Sequence, residues 1–174
     1  MSTITGCKNV SSIGEYAFAN SHLTSYPFGN SLKSIDRSAF QYSYLVSVTI
    51  PGSVRTIGEY AFYACSYLEE VIFEEGNTFV GSHMFLRCKQ LSKVSLASTI
   101  TRIDYGAFCE VGIETIALPT GLTDLVEACF YECPNLVSID IPTGVTRIGE
   151  NMFSTCIYNH RTTKTNQKYP SVNL

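Results

Sequence analysis

The chain has 174 residues, of which 45% are hydrophobic and 16% are charged, and its formal net charge is −3. This composition excludes a disordered polymer and supplies enough apolar material for one continuous core. The chain has no run of about 18 apolar residues, the length needed to cross a bilayer, and its N-terminus lacks the basic and apolar regions of a secretion signal.

Basic residues near the end of the chain conceal a more acidic body. Residues 157–174 carry Arg161, Lys164 and Lys168 and no acidic residue, which leaves a net charge of −6 on residues 1–156. Nucleic-acid binding depends on cationic contacts with phosphates, so nucleic acid is not an expected partner.

A six-residue pattern, Ile-Gly-Glu-Tyr-Ala-Phe at 13–18, returns along the chain at intervals of 22 or 23 residues. Its copies end in seven phenylalanines, Phe18, Phe40, Phe62, Phe85, Phe108, Phe130 and Phe153. A period of this length indicates one supersecondary unit per copy, and each unit buries its apolar side only by stacking on its neighbours. The sequence therefore predicts a solenoid of about seven coils of 22–23 residues over residues 1–158.

A second apolar block follows each phenylalanine and reads L-x-x-V-x-I. It begins at Leu23, Leu45, Leu68, Leu91, Ile113 and Leu136. Its last three positions alternate inward, outward and inward, as in a strand with one buried face. We therefore predict one short strand per coil, and these strands together form a parallel sheet.

Another inward pair, such as Val54 and Ile57, precedes the next Ala-Phe, which fits a short helical turn. The phenylalanine rings should form a ladder through the core. A glycine often follows the inward pair, but Asp36 and Asp104 take its place in other coils, so close packing explains it better than a positive φ. The alternative architecture is a parallel β-helix with three strands per coil, which the single alternating strand disfavours.

The combined consensus, L-x-x-V-x-I-P-x-x-V-x-x-I-G-x-x-A-F-x-x-C over about residues 10–156, resembles the BspA-like, or Treponema-type, leucine-rich repeat. The resemblance implies an α/β repeat solenoid. This is a right-handed leucine-rich-repeat superhelix with one parallel β-sheet on the concave face and short strands or helical turns on the convex side. Asn77, where other coils have Val, Ile or Leu, and the acidic segment 74–76 predict one less regular coil.

The resemblance also implies a function, that of a non-enzymatic protein-protein interaction module in surface antigens and adhesion proteins. Its partners would be proteins, including host or extracellular matrix proteins, and its location the cell surface or the medium. The alternative is an intracellular structural or scaffold protein in the cytoplasm, which the missing secretion signal favours.

Four of the seven cysteines, Cys65, Cys88, Cys133 and Cys156, lie three residues after a phenylalanine. Other coils have serine or valine there, so the position requires a small side chain and buried free thiols are favoured. Disulfides within the neighbouring pairs are the alternative, because coils stack at about 4.8 Å. A zinc site is weakly supported, since no second close ligand pair accompanies Cys129 and Cys133.

The sequence contains no motif that assembles a catalytic centre. His22, His83 and His160 share no repeat position, and no base, nucleophile and orienting acid recur together. Phosphate-loop and dinucleotide motifs are also missing. We therefore predict that the chain is not an enzyme, with no catalytic, cofactor-binding or metal-binding residue.

The candidate binding face consists of the solvent-facing strand positions, which are small and mostly polar. It comprises Ser47, Thr49, Glu70, Ile72, Lys93, Ser95, Thr115, Ala117, Ser138 and Asp140. Large anchors of the Tyr, Trp and Arg type are missing, so each coil should contribute modestly to binding.

Neither end of the repeat array has a recognisable cap in the sequence. Residues 159–174 have few apolar residues and no period, so we predict a disordered or loosely attached polar tail. Uncapped ends of a solenoid expose core, which makes self-association through them an open alternative.

Overall fold

The computed structural model describes residues 4–156 and 171–173. Within these ranges the chain forms a solenoid of parallel strands, and the only helical element is a 3-10 helix at Cys7–Asn9. No helix in the described part of the chain is long and apolar enough to cross a membrane.

The described residues form short strands. In chain order these are β1 (Ser12–Ile13), β2 (Ser34–Ile35), β3 (Ser47–Ile50), β4 (Thr56–Ile57), β5 (Glu70–Phe73), β6 (Phe79–Val80), β7 (Lys93–Ser95), β8 (Arg102–Ile103), β9 (Thr115–Ile116), β10 (Asp124–Leu125), β11 (Ser138–Asp140) and β12 (Ser171–Asn173).

The strands form two files along the solenoid, each divided into two three-stranded sheets. The predicted L-x-x-V-x-I strands are β3, β5 and β7, which form one sheet, and β9 and β11, which form another with β12. The second inward block forms β1-β2-β4 and β6-β8-β10, so most coils contribute two short strands and not the single strand predicted. Pairings between coils join equivalent repeat positions, for example Ser47 with Glu70 and Glu70 with Lys93. All pairings are parallel, as expected.

The phenylalanine ladder is confirmed. Ring centroids of successive coils lie 5.1 to 5.9 Å apart, and their planes differ by 3° to 17°. Five rings, those of Phe40, Phe62, Phe85, Phe108 and Phe130, are fully buried. Stacked aromatic surfaces of this size provide much of the apolar burial that holds one coil to the next.

The Ala-Phe segments are chains of tight turns, so the helical part of the prediction is not confirmed. Around each of the seven ladder phenylalanines, the residue two positions before and the residue two positions after have φ between 50° and 65°. In the second coil the N–H groups of Ser38, Phe40 and Tyr42 donate to the next coil at 3.0, 2.8 and 2.9 Å, to the carbonyls of Glu59, Ala61 and Tyr63. The N–H groups between them close turns within the coil. A helix would need negative φ throughout and bonds within the segment.

The first coil departs from the predicted pattern, because residues 23–28 do not form a strand. Pro27 has no N–H to donate to a ladder, and Phe28 N–H bonds the Tyr26 carbonyl at 3.0 Å in a tight turn. The Tyr26 ring packs on Phe18 and Phe40 at 5.1 and 5.4 Å. These rings, with the nearby Cys7, cover the first coil's side of the core, which the sequence left without a recognisable cap.

The acidic coil at 74–77 keeps backbone bonds to the preceding coil, such as that from Glu74 N–H to the Ile50 carbonyl at 3.1 Å, and Asn77 adds side-chain bonds to them. Its side-chain amide is buried and donates to the carbonyls of Ile50 at 3.0 Å and Glu74 at 2.8 Å. The Glu75 carboxylate accepts bonds from the backbone and the hydroxyl of Ser98 at 2.9 and 3.0 Å. The departure from the consensus thus ties this coil to its neighbours.

Part of the predicted tail returns to the solenoid. Ser171–Asn173 forms β12, which pairs with β11 in register, Ser138 opposite Ser171. Residues 157–170 and 174 lie outside the described residues, so the prediction of a loose tail stays a prediction.

Candidate interaction surface

The ten predicted surface residues, hereafter the strand face, lie outside the core on the first file of strands. On β3, β5 and β7 they form two columns that run from coil to coil. The first joins Ser47, Glu70 and Lys93, and the second joins Thr49, Ile72 and Ser95. Opposite charges at directly paired positions, as with Glu70 and Lys93, stabilise a strand pair.

The strand face continues on the second sheet of the same file. Thr115 of β9 pairs with Ser138 of β11, and Asp140 is exposed at the end of β11. Ala117 is also exposed, one residue beyond the end of β9. All ten positions therefore point away from the core.

The cysteines are all free and buried, which agrees with the packing interpretation. Each of the four that lie three residues after a phenylalanine donates its thiol to a phenylalanine carbonyl of the preceding coil. The bonds run from Cys65 to Phe40 at 3.1 Å, Cys88 to Phe62 at 3.1 Å, Cys133 to Phe108 at 3.0 Å and Cys156 to Phe130 at 2.8 Å. Cysteine fits this position because its side chain is small and its thiol is a weak hydrogen-bond donor.

Burial should make the thiols unreactive in the folded protein by excluding reagent, even at Cys65 and Cys156, whose pKa is lowered by hydrogen bonds with the Cys88 and Cys133 thiols. Burial raises the pKa of Cys109 to about 12 and raises the pKa of Cys88 well above its ordinary value. Only the thiolate reacts with alkylating agents. We expect iodoacetamide at pH 7.5 to label almost none of the seven cysteines in the native protein and all of them in concentrated urea. Rapid labelling of the native protein, counted by mass spectrometry, would contradict this.

The pKa is raised for four thiols, Cys88, Cys109, Cys129 and Cys133, and lowered for Cys65 and Cys156, so the raised group sets the net sign of a pH dependence. A thiol whose pKa is higher in the folded state stabilises the fold fully below the unfolded value, about 8.5, and that contribution is lost as the pH rises above it. We expect urea denaturation to give a lower free energy of unfolding at pH 10 than at pH 7. Equal values would show that the thiols ionise as readily in the folded protein.

The two described histidines have structural contacts. His22 packs against Tyr44 at 4.7 Å with the rings tilted by 57°, and His83 lies between Tyr60 and Tyr105 at 4.7 and 5.0 Å. The Ser82 hydroxyl is 3.1 Å from His83 Nδ1, but it also bonds the Tyr105 carbonyl at 3.3 Å. Burial lowers the pKa of His83. A catalytic pair would also need a group that orients the base, and no carboxylate in the described structure hydrogen-bonds the His83 ring.

Metal ligands do not converge in the part of the chain that the structure describes. It contains no group of three or more His, Cys, Asp or Glu side chains placed to hold an ion. Cys129 donates to the Val126 carbonyl at 2.7 Å and, with Cys133, is used within the core.

Two clefts lie along the turn segments of the solenoid, and the sequence pattern does not predict them. Both are lined by residues two to five positions after the phenylalanines of neighbouring coils, and their volumes are about 360 and 390 Å³. The signal was present as tyrosine at Tyr42 and Tyr44, two and four residues after Phe40. The sequence pattern does not show where these tyrosines lie relative to the next coil.

Comparison with known proteins places this geometry in a family. A model of the BspA type leucine rich repeat region matches in six copies, over residues 1–111 and 78–171. A comparison with curated proteins gave no match.

Solved structures of three leucine-rich repeat proteins are similar in fold. The protein from Eubacterium ventriosum is 23% identical over 90% of this chain and 44% of its own, with a TM-score of 0.77. The T. pallidum protein is 25% identical over 72% and 59%, with a TM-score of 0.66. The Bacteroides ovatus protein is 24% identical over 86% and 51%, with a TM-score of 0.56.

The chain spans between 44% and 59% of the length of these solved proteins, so the similarity concerns the repeat unit and its stacking. The repeat consensus, the ladder of buried phenylalanines and the parallel files of strands agree with the matched family model. The chain belongs to the BspA-type leucine-rich-repeat proteins.

Proposed function

We propose that the chain is a non-enzymatic protein-interaction module that binds a partner on the strand face. The observation that carries the proposal is the pair of in-register columns on β3, β5 and β7. Their neighbours along each strand, such as Val48 and Val71, are buried in the core, so the outward positions are free of a packing role. Repeated positions of this kind give a partner a continuous surface.

Ile72 lies at the centre of this surface and is 37% exposed. It lies between Thr49 and Ser95, with Glu70 and Lys93 on the adjacent column. An exposed aliphatic side chain with charged neighbours resembles the centre of an interface, where a few buried contacts contribute most of the binding energy. The small flanking residues leave room for larger side chains of the partner.

The finer form of the proposal rests on the family. We infer a right-handed superhelix with the strand face on its concave side, exported to the cell surface, where it would adhere to host or matrix proteins. The alternative is an intracellular scaffold that uses the same face. Protease treatment of intact cells separates them, because only a surface protein would be digested.

Charge reversal tests the strand face. We expect the triple variant Glu70→Lys, Lys93→Glu and Asp140→Lys to weaken binding of every strand-face partner by at least about tenfold, since like charges then oppose the partner's groups. Partners recovered with the wild-type protein are titrated against each variant by biolayer interferometry.

A matched control changes the net charge of the protein by the same amount, but at residues outside the strand face. Glu15→Lys, Lys33→Glu and Glu59→Lys alter three exposed residues outside the strand face. This variant should bind as the wild type does. Equal affinity of the strand-face variant and the wild type for every partner would refute the proposed site.

A further inference from the structure

The cleft of about 360 Å³ on the turn-bearing side lies between Tyr42 and Tyr44, which are 43% and 39% exposed. Its base is formed by small residues of the next coil, Ala64 and Ser66. Tyr42 and Tyr44, on either side of the buried residue Ser43, therefore both line this cleft, and their side chains are its aromatic walls.

Both walls are held in place by neighbouring coils. The Tyr44 ring lies between His22 and Tyr67, with centroid distances of 4.7 and 4.9 Å. The Tyr42 ring meets Tyr63 edge-on at 5.2 Å. Rings fixed in this way lose little conformational freedom when a ligand binds, which is the benefit of preorganisation.

Arg87 completes the support of the Tyr42 wall. Its guanidinium donates to the Tyr63 hydroxyl at 3.2 Å and pairs with the Glu110 carboxylate at 3.0 Å. The nearest charges around this wall are therefore engaged with each other. They do not contribute to the lining of the cleft.

The lining groups at the ends of the cleft are neutral and polar. Asn20 contributes an amide, His22 an imidazole and Ser66 a hydroxyl. Each of these side chains can both donate and accept hydrogen bonds. Because no carboxylate, ammonium or guanidinium lines the cleft, a charged ligand would find no counter-ion there.

The second cleft differs from the first because charged residues line it. It occupies the same repeat positions farther along the chain, with a volume of about 390 Å³, but Lys89, Glu110 and Glu132 line it. The repeat thus builds a groove at a fixed place, and the local residues determine its chemistry. Of the two clefts, the one near Tyr42 and Tyr44 combines exposed rings with neutral polar groups.

We propose that the cleft between Tyr42 and Tyr44 binds a neutral saccharide. A sugar ring has a face of C–H groups, which the electron-rich face of tyrosine attracts, and a rim of hydroxyls that donate and accept. The Tyr42 ring, whose one aromatic contact among the described residues is the Tyr63 ring, matches the face. Tyr44, held between His22 and Tyr67, closes the other side of the cleft, and Asn20, His22 and Ser66 match the rim. The volume lies within the range of small-ligand sites, about 300–1,000 Å³.

A proline-rich peptide is the strongest competitor, because such segments dock in aromatic grooves. Proline has no N–H, so its contacts with polar groups use carbonyl acceptors alone. It would leave the acceptors of Asn20 and Ser66 unused. A sugar uses both kinds of group, which is why the neutral saccharide fits better.

The test uses the full chain and five neutral probes, namely maltotriose, cellotriose, mannotriose, chitotriose and lactose. Saturation-transfer difference NMR should show transfer from tyrosine rings to at least one probe, with a dissociation constant on the order of 1 mM. Tyr44→Ala should weaken that binding about tenfold, and Tyr44→Phe should leave it within about twofold, since the ring remains.

Two further variants keep the result interpretable. Ser66→Glu keeps both rings but places a bulky charge on the floor, so it should also abolish binding. Tyr105→Ala removes a tyrosine of similar exposure, 45%, which lies outside the cleft against His83, and it should bind as the wild type does. Melting temperatures confirm that each variant folds.

Three results would overturn the proposal. The first is no saturation transfer to any of the five probes at about a hundredfold excess over protein. The second is sugar binding that neither Tyr44→Ala nor Ser66→Glu weakens. The third is a decaproline peptide that binds at the tyrosines and is displaced by none of the sugars.

Discussion

Replacing Phe85 by alanine is expected to lower the free energy of unfolding by about 3–5 kcal/mol, the range for deleting a fully buried aromatic ring. Phe85 is fully buried, and its ring stacks between Phe62 at 5.6 Å and Phe108 at 5.7 Å. Its loss therefore leaves a cavity that touches both neighbouring coils. Urea denaturation followed by circular dichroism measures the change.

The position of the ring in the ladder provides the control. Among the described residues Phe18 stacks on a ladder phenylalanine on one side only and is partly exposed, so Phe18→Ala should cost clearly less than Phe85→Ala. In a stack where each repeat contacts only its neighbours, a lesion in the middle also divides the array. Phe85→Ala should therefore broaden the unfolding transition or split it in two. Equal losses from both substitutions would show that the rings do not act through stacking.

Replacing Gly58 by alanine is the second change with a large expected effect. A Cβ atom there would overlap the backbone of Arg37 in the preceding coil. Because a backbone contact cannot be relieved by a side-chain rotation, the coils must separate, at a cost of about 1–3 kcal/mol or more. The melting temperature should fall in proportion.

Gly14 is the matched control because it occupies the same position in the first coil. A Cβ added there meets no atom within 4 Å, and its φ is not in the left-handed region. Gly14→Ala should be neutral or slightly stabilising, since alanine loses less backbone entropy than glycine on folding. A large loss at Gly14 would mean that the glycines serve the backbone and not the contact between coils.

Gly58 and Gly14 show which part of the packing between coils the sequence predicts and which part it does not. The occurrence of Asp36 and Asp104 at equivalent positions excluded a required positive φ and indicated close packing. The structure agrees at Gly58 and limits the constraint at Gly14, where no preceding coil approaches. The residue type therefore revealed a contact, but the partner of that contact lies 21 residues earlier in the chain.

The turns are the clearest feature that the sequence did not predict. Ala-Phe is compatible with a helix by local propensity. Tyr60, Ala64 and Glu110 are ordinary residues, yet all three adopt positive φ. Such a conformation is unfavourable for a residue with a Cβ, and here it accompanies N–H groups that bond the next coil. Only the stacked array supplies those acceptors.

The candidate sites divide in the same way. Alternation along the strands was sufficient to place Ser47, Glu70 and Lys93 on one outward column, because a strand has a period of two. The cleft between Tyr42 and Tyr44 could not be predicted likewise, since its floor comes from Ala64 and Ser66 of the following coil. Neighbouring coils must be in place before that cleft exists.

By itself, the sequence determined the repeat period, the phenylalanine ladder, the outward columns and the family, because volume and polarity recur at fixed spacing. Tertiary structure alone decided the left-handed turns, the packing of Tyr26 over the first coil and the aromatic cleft. Each of these features depends on hydrogen bonds or ring contacts between residues of neighbouring coils. A single coil contains only one of the two residues in each such contact.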